Sequence, residues 1–416
     1  MIVQVPGFLV APYSGIRSID FHSYRLAADA WLRGENLYST PEQARGYWLS
    51  AHRNETALGR LTTLEQRQSY LRAQAESPQT PGPYLYPPTL ALAIAQSGID
   101  APAFAGLVLL SVLAFGWLWL HVSNASAVWL LWVVFSWDAL ISVQGANVEI
   151  ILLFLTLLAC WSLWKQRPLL AAPPVAAILL VKPFYAAFFA AFAALLLACQ
   201  PAASGPRRRA WSAAAGLIVA LVAAEMLRWG DELRRAALSY LQGGPANLWY
   251  ALPPDEQTPF AIWNRNLAQA WASLGIPPDI ALGLALAAWA GLLAVTIARA
   301  RARAPTFSQM WALALVLFYL TRPVGWTLVY LEIAVLVAIW PWVSTRFKAF
   351  AFAGGCGLAV SHWLALLSTA RGYDMRLLTL QSATFPWETW IVLPACWWML
   401  LMSLPRQDVA PAPARF

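Results

Sequence analysis

The feature that most constrains this chain is a succession of long apolar segments with few charges between them. Apolar residues make up 60% of the 416 residues and charged residues only 12%, against roughly 25% in soluble domains. Because so few charged groups cannot cover the surface of a protein this size, the sequence predicts that lipid is its main solvent. The 24 tryptophans agree, since tryptophan is enriched at membrane–water interfaces.

A helix needs about 20 apolar residues to cross the hydrocarbon core of a bilayer, and fewer where its neighbours pack around it. By this measure the sequence predicts an all-α integral membrane protein. The apolar spans lie at 104–121, 126–142, 147–164, 168–182, 183–199, 210–227, 279–298, 307–320, 324–343, 349–368 and 389–404. The run from Met1 to Pro12 is too short to span alone, so we expect the first helix to be truncated or the start to be assigned too late.

Short basic clusters between the spans indicate which side of the membrane is cytoplasmic. The clusters are Lys165 with Arg167, Arg207 to Arg209, Arg299 to Arg303, and Arg346 with Lys348. With these spans all four fall on one side, which the positive-inside rule identifies as the cytoplasm. The net charge of +8 therefore reflects topology, and no basic stripe predicts binding to nucleic acid.

The chain is expected to form a single polytopic domain, 1–416, with its longer polar loops on the outer face. These loops are 14–83, 228–262 and 369–388, while the tail 405–416 is expected in the cytoplasm. The segment from Tyr84 to Ser97 does not fit the parity of crossings. We expect it to form an interfacial or re-entrant half-helix on the outer side.

The first outer loop is expected to carry helices of its own. Ser18 or Asp20 is expected to cap a helix that ends at Gly34. A second, amphipathic helix is predicted near Thr62, where Thr62 and Thr63 both begin a capping-box pattern. A carboxylate such as that of Asp20, just outside a bundle of apolar helices, is either a helix cap or a catalytic base.

Several polar side chains are predicted at the outer ends of their helices, where they could line one cavity. They are Asp20, Asp138, Gln144, Asn147, Glu149, Lys182, Glu225, Arg322 and Glu332. The alternative for any one of them is that helix ends are commonly polar. Lys182 precedes a proline that breaks its helix, so its ammonium could bind a phosphate, or it could be a lysine that snorkels at a turn.

The segment 246–271 places tryptophans and a tyrosine beside amides and a guanidinium, a mixture that suits a sugar site or an interfacial belt. No spacing of His or Cys predicts a metal site, and Cys160, Cys199, Cys356 and Cys396 are expected as small core residues. We expect no metal and no nucleotide cofactor.

The order of these features resembles the glycosyltransferase family 87 proteins, which are polyprenyl-phosphate-mannose-dependent mannosyltransferases of the GT-C superfamily. The matching residues, between about 18 and 345, are Asp20 with Tyr24, Ala27, Gly34 and Tyr38; Tyr84 to Pro88; Gln144 to Asn147; Lys182-Pro183; Asn264 to Asn266; and Pro323 to Trp326. Each motif alone is weak, and their order carries the resemblance.

The resemblance implies a GT-C helical bundle with about 11–12 transmembrane helices. Its activity would be transfer of a hexose, mannose by the family's name, from a polyprenyl-phosphate donor to a lipid or glycan acceptor. The reaction would take place on the outer face of a bacterial plasma membrane and invert the sugar's configuration. Asp20 would be the general base, and Lys182, Arg265 and Arg322 would hold the donor phosphate. The residues expected to bind sugar or acceptor are Tyr24, Tyr86, Gln144, Asn147, Asn264, Asn266 and Trp326.

One departure from the family keeps other functions open. Family members usually carry a histidine one or two residues after the tryptophan that matches Trp326, and this chain has none there. An inactive paralogue that binds lipid is therefore one alternative. A transporter or flippase for a lipid-linked substrate is another, although transporters tend to break helices at matching places in two repeats. Here we find one break, at Lys182-Pro183.

Overall fold

The computed structural model describes residues 19–38, 66, 69, 84, 86–135, 139, 142–143, 146–199, 205–231, 233–235, 237, 267, 271, 275–303, 305–321, 331–342 and 393–405. Within these residues the regular secondary structure is entirely helical, which confirms the predicted all-α class. The helices are α1 (Ile19–Leu32), α2 (Pro88–Ser97), α3 (Ala101–Ser123), α4 (Val128–Phe135), α5 (Glu149–Trp164), α6 (Pro168–Val181), α7 (Ala186–Cys199), α8 (Gly205–Arg228), α9 (Pro278–Arg301), α10 (Phe307–Thr321), α11 (Leu331–Ile339) and α12 (Leu393–Met402).

Three of these helices are long and apolar enough to cross a membrane. They are α3 and the parts of α8 and α9 that run over Arg208–Arg228 and Ile280–Arg301. In α8 and α9 little of this apolar surface is buried, and side chains such as Val219, Leu282 and Leu286 are more than half exposed. A continuous apolar exterior is an aggregation hazard in water but is the normal surface of a protein dissolved in lipid. This surface indicates a membrane protein.

The helices pack into one bundle whose interior is rich in aromatic rings. The ring of Trp311 on α10 lies 4.9 Å from that of Trp119 on α3 and 6.3 Å from that of Phe188 on α7, measured between centroids. Helix α10 is buried along most of its length and contacts α7, α9, α11 and α12. It is therefore the central element against which the others are arranged.

Contacts at one end of the bundle gather the basic clusters that the structure describes. The rings of Trp164 and Phe307 lie 5.8 Å apart, and the Cys199 thiol donates a hydrogen bond to the Ala300 carbonyl, 3.6 Å away. These contacts join the end of α5, which Lys165 follows, to the end of α9 and the start of α10. The beginning of α8 lies at this end too, because the other end of α8 contacts α2, at the opposite end of the bundle, through Glu225. Three of the four basic clusters thus lie at this end of the bundle, while Arg346 and Lys348 lie outside the described residues.

The break predicted at Lys182-Pro183 is present. Helix α6 ends at Val181, and a 3₁₀ turn, Pro183–Tyr185, leads into α7. Lys182 has φ −138° and ψ 86°, outside the α-helical region that a following proline disfavours. Helix α6 packs on α5 and α8, whereas α7 packs on α9 and α10, so the chain runs out along one wall of the bundle and returns along another.

Candidate functional site

Two tyrosines are in contact at the end of the bundle opposite the basic clusters, one on α1 and one just before α2. Helix α1 packs on α2, and the Tyr24 hydroxyl donates a hydrogen bond to the Tyr86 hydroxyl, 3.2 Å away. The two rings meet edge to face with centroids 5.1 Å apart. Tyr24 is 1% exposed, so its buried ring fixes α1 against the partly buried Tyr86.

An ion pair lies beside these tyrosines. The Lys182 ammonium donates to Oε2 of Glu149, and the Tyr185 hydroxyl donates to Oε1 of the same carboxylate at 2.7 Å. The ammonium also lies 5.2 Å from the centroid of the Tyr86 ring, within the range of a cation–π interaction. We call these five residues, Tyr24, Tyr86, Glu149, Lys182 and Tyr185, the Lys182 cluster.

Helix termini favour both charges of this pair. Glu149 is the first residue of α5, and Lys182 directly follows the last residue of α6. A carboxylate is stabilised at a helix N-terminus and an ammonium at a C-terminus, by about 0.3–1 kcal/mol each at exposed sites. Glu149 retains 9% of its side-chain exposure and Lys182 14%, so the pair is almost buried and depends on this compensation.

Asn147 is predicted to bind sugar or acceptor, and the structure shows a local role for its side-chain oxygen. Oδ1 accepts a hydrogen bond from the backbone N–H of Glu149 at 2.7 Å. This is the local turn that Asn readily forms, and it satisfies a backbone donor at the start of α5. Ala146, just before it, has a positive φ of 50°, so the chain turns sharply into α5. Asn147 thereby positions Glu149.

Two further tyrosines hydrogen-bond the backbone at Tyr86 and Pro87. The Tyr38 hydroxyl donates to the Tyr86 carbonyl at 3.2 Å, and the Tyr84 hydroxyl donates to the Pro87 carbonyl at 2.6 Å. Tyr84 also accepts the backbone N–H of Ala91 at 3.1 Å, which anchors α2. Burial raises the pKa of the Tyr38 hydroxyl above its usual value. The segment predicted as a half-helix is thus helical from Pro88 to Ser97. Hydrogen bonds from tyrosine hydroxyls stabilise the chain at its start.

The other charges described at this end of the bundle have different partners. Glu225 accepts hydrogen bonds from the Thr89 hydroxyl at 3.2 Å and from Arg228 at 2.7 Å, which joins α8 to α2. On the exposed end of α1, the guanidinium of Arg33 hydrogen-bonds the Glu35 carboxylate and lowers the pKa of Glu35. The Glu225 contacts join two helices, whereas the Arg33–Glu35 pair lies within the segment that follows α1.

Of the residues predicted to form the site, the structure brings together Tyr24, Tyr86, Asn147 and Lys182. Asp20 lies one helical turn before Tyr24, in the first turn of α1, which begins at Ile19 and ends before the predicted Gly34. Asp20 therefore lies inside the helix, while Ser18 lies outside the described residues. The remaining predictions, Gln144, Asn264, Arg265, Asn266, Arg322 and Trp326, lie outside the described residues, as does Asp138. In the segment predicted as a helix near Thr62, the two described residues, Gln66 and Ser69, are helical.

Sequence patterns did not predict Tyr185 as a site residue or the pairing of Glu149 with Lys182. The signals were present but weak. Tyr185 follows the Lys182-Pro183 break by two residues, and both charges were predicted at outer helix ends. Their pairing depends on how α5 packs against α6.

The arrangement can bind an anion and present aromatic faces next to it. An ammonium with several donors beside tyrosine rings and hydroxyls suits a phosphate that carries an apolar or sugar substituent. Within the described part of the chain no group of three His, Cys, Asp or Glu side chains is placed to hold a metal ion. No protein-family model matches the chain, and no curated protein or solved structure matches it either.

Proposed function

We propose that this protein is a multi-pass membrane glycosyltransferase. It transfers a hexose, with mannose the expected sugar, from a polyprenyl-phosphate donor to a lipid or glycan acceptor. The reaction takes place on the outer face of a bacterial plasma membrane, and the basic end of the bundle faces the cytoplasm. The protein would work without a metal or nucleotide cofactor.

The contact of Tyr24, on α1, with Tyr86 is the observation that supports this proposal best. The resemblance assigns a base to Asp20 and a phosphate contact to Lys182, which are 162 positions apart and lie on different helices. Tyr24, one turn after Asp20, hydrogen-bonds Tyr86, whose ring lies under the Lys182 ammonium. One helical turn rises only about 5.4 Å, so the two assigned positions belong to the same end of the bundle.

The proposed reaction is a single displacement. The carboxylate of Asp20 takes the proton of the acceptor hydroxyl, and the acceptor oxygen attacks the anomeric carbon. The bond from that carbon to the phosphate oxygen breaks, and the polyprenyl phosphate leaves with the electron pair, so the configuration inverts. Lys182, with Arg265 and Arg322, stabilises the negative charge on the departing phosphate.

The proposal is tested with matched aspartate variants of α1. Membranes that contain the protein receive radiolabelled polyprenyl-phosphate sugars and a lipid extract as acceptor. We expect Asp20→Asn to lower transfer by about 10²–10⁴-fold, the usual contribution of general-base catalysis. Asp29→Asn is the control, since Asp29 is in the same helix and pairs with Arg25 at 3.0 Å on the surface. Transfer that persists in Asp20→Asn at normal membrane levels would contradict the assignment of the base.

A transporter or flippase for a lipid-linked substrate is the second candidate, and the ion pair at a helix break favours it. Charges within membrane segments commonly mark transport pathways as well as catalytic sites. Proteoliposomes that carry a fluorescent polyprenyl-phosphate sugar separate the two. Movement of the lipid between leaflets without sugar transfer would support transport, and no activity with retained lipid binding would support an inactive paralogue.

A further inference from the structure

The pairing of Lys182 with Glu149 changes what this cation offers to a ligand. A phosphate approaching Lys182 meets a neutral ion pair and not a bare ammonium, because the Glu149 carboxylate already accepts a hydrogen bond from it. Both side chains are nearly buried, so the carboxylate is only weakly screened by water. Any anion that binds at Lys182 therefore competes with Glu149 or is repelled by it.

Tyr185 adjusts this competition from the other side of the carboxylate. Its hydroxyl donates to Oε1 of Glu149 at 2.7 Å, while Lys182 donates to Oε2. Tyr185 itself is 1% exposed, and the centroid of its ring lies 4.5 Å from that of Phe318 on α10, so the hydroxyl is held in place. A hydrogen bond to a carboxylate draws off part of its negative charge and weakens its hold on a second donor.

We propose that Glu149 is the resting counter-ion of Lys182 and sets how tightly this lysine binds the phosphate of the lipid carrier. Tyr185 acts as a positioning residue that holds Glu149 and moderates its charge. The identity of the phosphate ligand rests on the proposed function, while the competition rests on the geometry of the pair. The carboxylate keeps the carrier phosphate from binding too firmly, so the spent carrier is released after the sugar has left.

The proposal is tested by lipid binding, without reference to sugar transfer. Native mass spectrometry of the detergent-solubilised full-length protein counts bound undecaprenyl monophosphate, with undecaprenol as the ligand that lacks the phosphate. Glu149→Gln removes the charge and keeps the shape of the side chain. Glu225→Gln is the matched control, because Glu225 is also a paired, largely covered carboxylate at the same end of the bundle.

We expect Glu149→Gln to bind undecaprenyl monophosphate roughly tenfold more tightly, since one nearby negative charge is removed. Tyr185→Phe is expected to weaken binding a few-fold, because Glu149 then holds Lys182 more firmly. Lys182→Met should abolish the preference for the monophosphate over undecaprenol, while Glu225→Gln should leave it unchanged.

The opposite signs for Glu149→Gln and Tyr185→Phe distinguish this role from simple support of the fold, which would shift both variants in one direction. Equal or weaker binding by Glu149→Gln, at an unchanged melting temperature, would overturn the proposal. If Glu149→Gln does not fold, Tyr185→Phe decides, and unchanged binding overturns it. A protein that shows this pattern of binding but transfers no sugar keeps the counter-ion and loses the glycosyltransferase assignment.

Discussion

At the residue scale, the arrangement around Lys182 follows from the cost of placing a charge in a medium of low dielectric constant. Removing an ammonium from water costs several kcal/mol unless an anion and further hydrogen bonds compensate it. Glu149 supplies the anion, the end of α6 supplies a favourable dipole, and the Tyr86 ring supplies a cation–π contact. The same compensation makes the site sensitive, because removal of one partner leaves the other buried and unpaired.

Tyr38 gives a prediction about pH at this scale. Because burial raises its pKa in the folded state, the stabilisation from Tyr38 is fully present below the ordinary tyrosine pKa of about 10 and declines as pH rises above it. Tyr38→Phe loses the hydrogen bond to the Tyr86 carbonyl, which costs about 0.5–1.5 kcal/mol at neutral pH. We expect the melting temperature of Tyr38→Phe in detergent to be lower than that of the natural protein at pH 7. Between about pH 9 and 11, around the tyrosine pKa, it should fall less than that of the natural protein. Equal alkaline slopes would contradict this account.

At the element scale, packing overrides local preference in α6 and sets the contact of α3 with α4. Helix α6 continues through Pro173 and Pro174, although an interior proline costs about 3 kcal/mol in an isolated helix. It packs against α5 and α8, and burial of its apolar side chains against these helices offsets part of this cost. In α3, Gly116 allows a close approach of α4, since an added Cβ would lie 2.8 Å from Cδ1 of Leu130 and 3.2 Å from Cγ1 of Val133.

This contact predicts different outcomes for two glycines of the same helix. Gly116→Val forces the Leu130 and Val133 side chains to move and is expected to cost about 1–3 kcal/mol, as overpacking usually does. Gly106→Val introduces the same side chain where nothing lies within 4 Å, so its effect should stay within about 0.5 kcal/mol. Thermal unfolding of both variants in detergent checks this, and similar losses would show that α3 and α4 are not in close contact.

At the scale of the whole molecule, the bundle has two chemically distinct ends and an apolar exterior between them. The described basic clusters lie at one end, and the Lys182 cluster with α1 and α2 lies at the other. Such separation is what the positive-inside rule produces when helices cross a membrane in alternating directions. It supports the proposed orientation, in which the Lys182 cluster faces outward.

Cysteine labelling tests that orientation directly. In a background without the four natural cysteines, Ser97→Cys introduces an exposed thiol at the end of α2, and Ala302→Cys introduces one between the basic residues Arg301 and Arg303. Neither change alters a charge. We expect a membrane-impermeant maleimide to label position 97 in intact cells and position 302 only after permeabilisation. The reverse pattern would place the Lys182 cluster in the cytoplasm.

Much of the helical framework could be predicted, because apolar runs, prolines and basic clusters act over a few residues. The predicted span 168–182 differs from α6 by one residue, and the break at Lys182 follows from the proline after it. In the predicted span 126–142 the described residues 128–135, 139 and 142 are helical, so this helix begins two residues later than predicted. For the site, sequence patterns indicated Tyr24, Tyr86, Asn147 and Lys182 but not their partners. Asn147 Oδ1, expected to contact a ligand, is engaged by the backbone of Glu149 because a short polar side chain next to a helix start bonds the nearest donor.

The sequence by itself determined that this chain is helical, that its helices suit lipid, and where Lys182 interrupts them. These properties depend on composition and on neighbours along the chain. Only the tertiary structure decided that Lys182 meets Glu149, 33 residues earlier, and that Tyr185 and Tyr86 enclose the pair. Those contacts are set by the rotation and axial position of one helix against another. Both are fixed by the fit of many side chains at once, which no local pattern encodes.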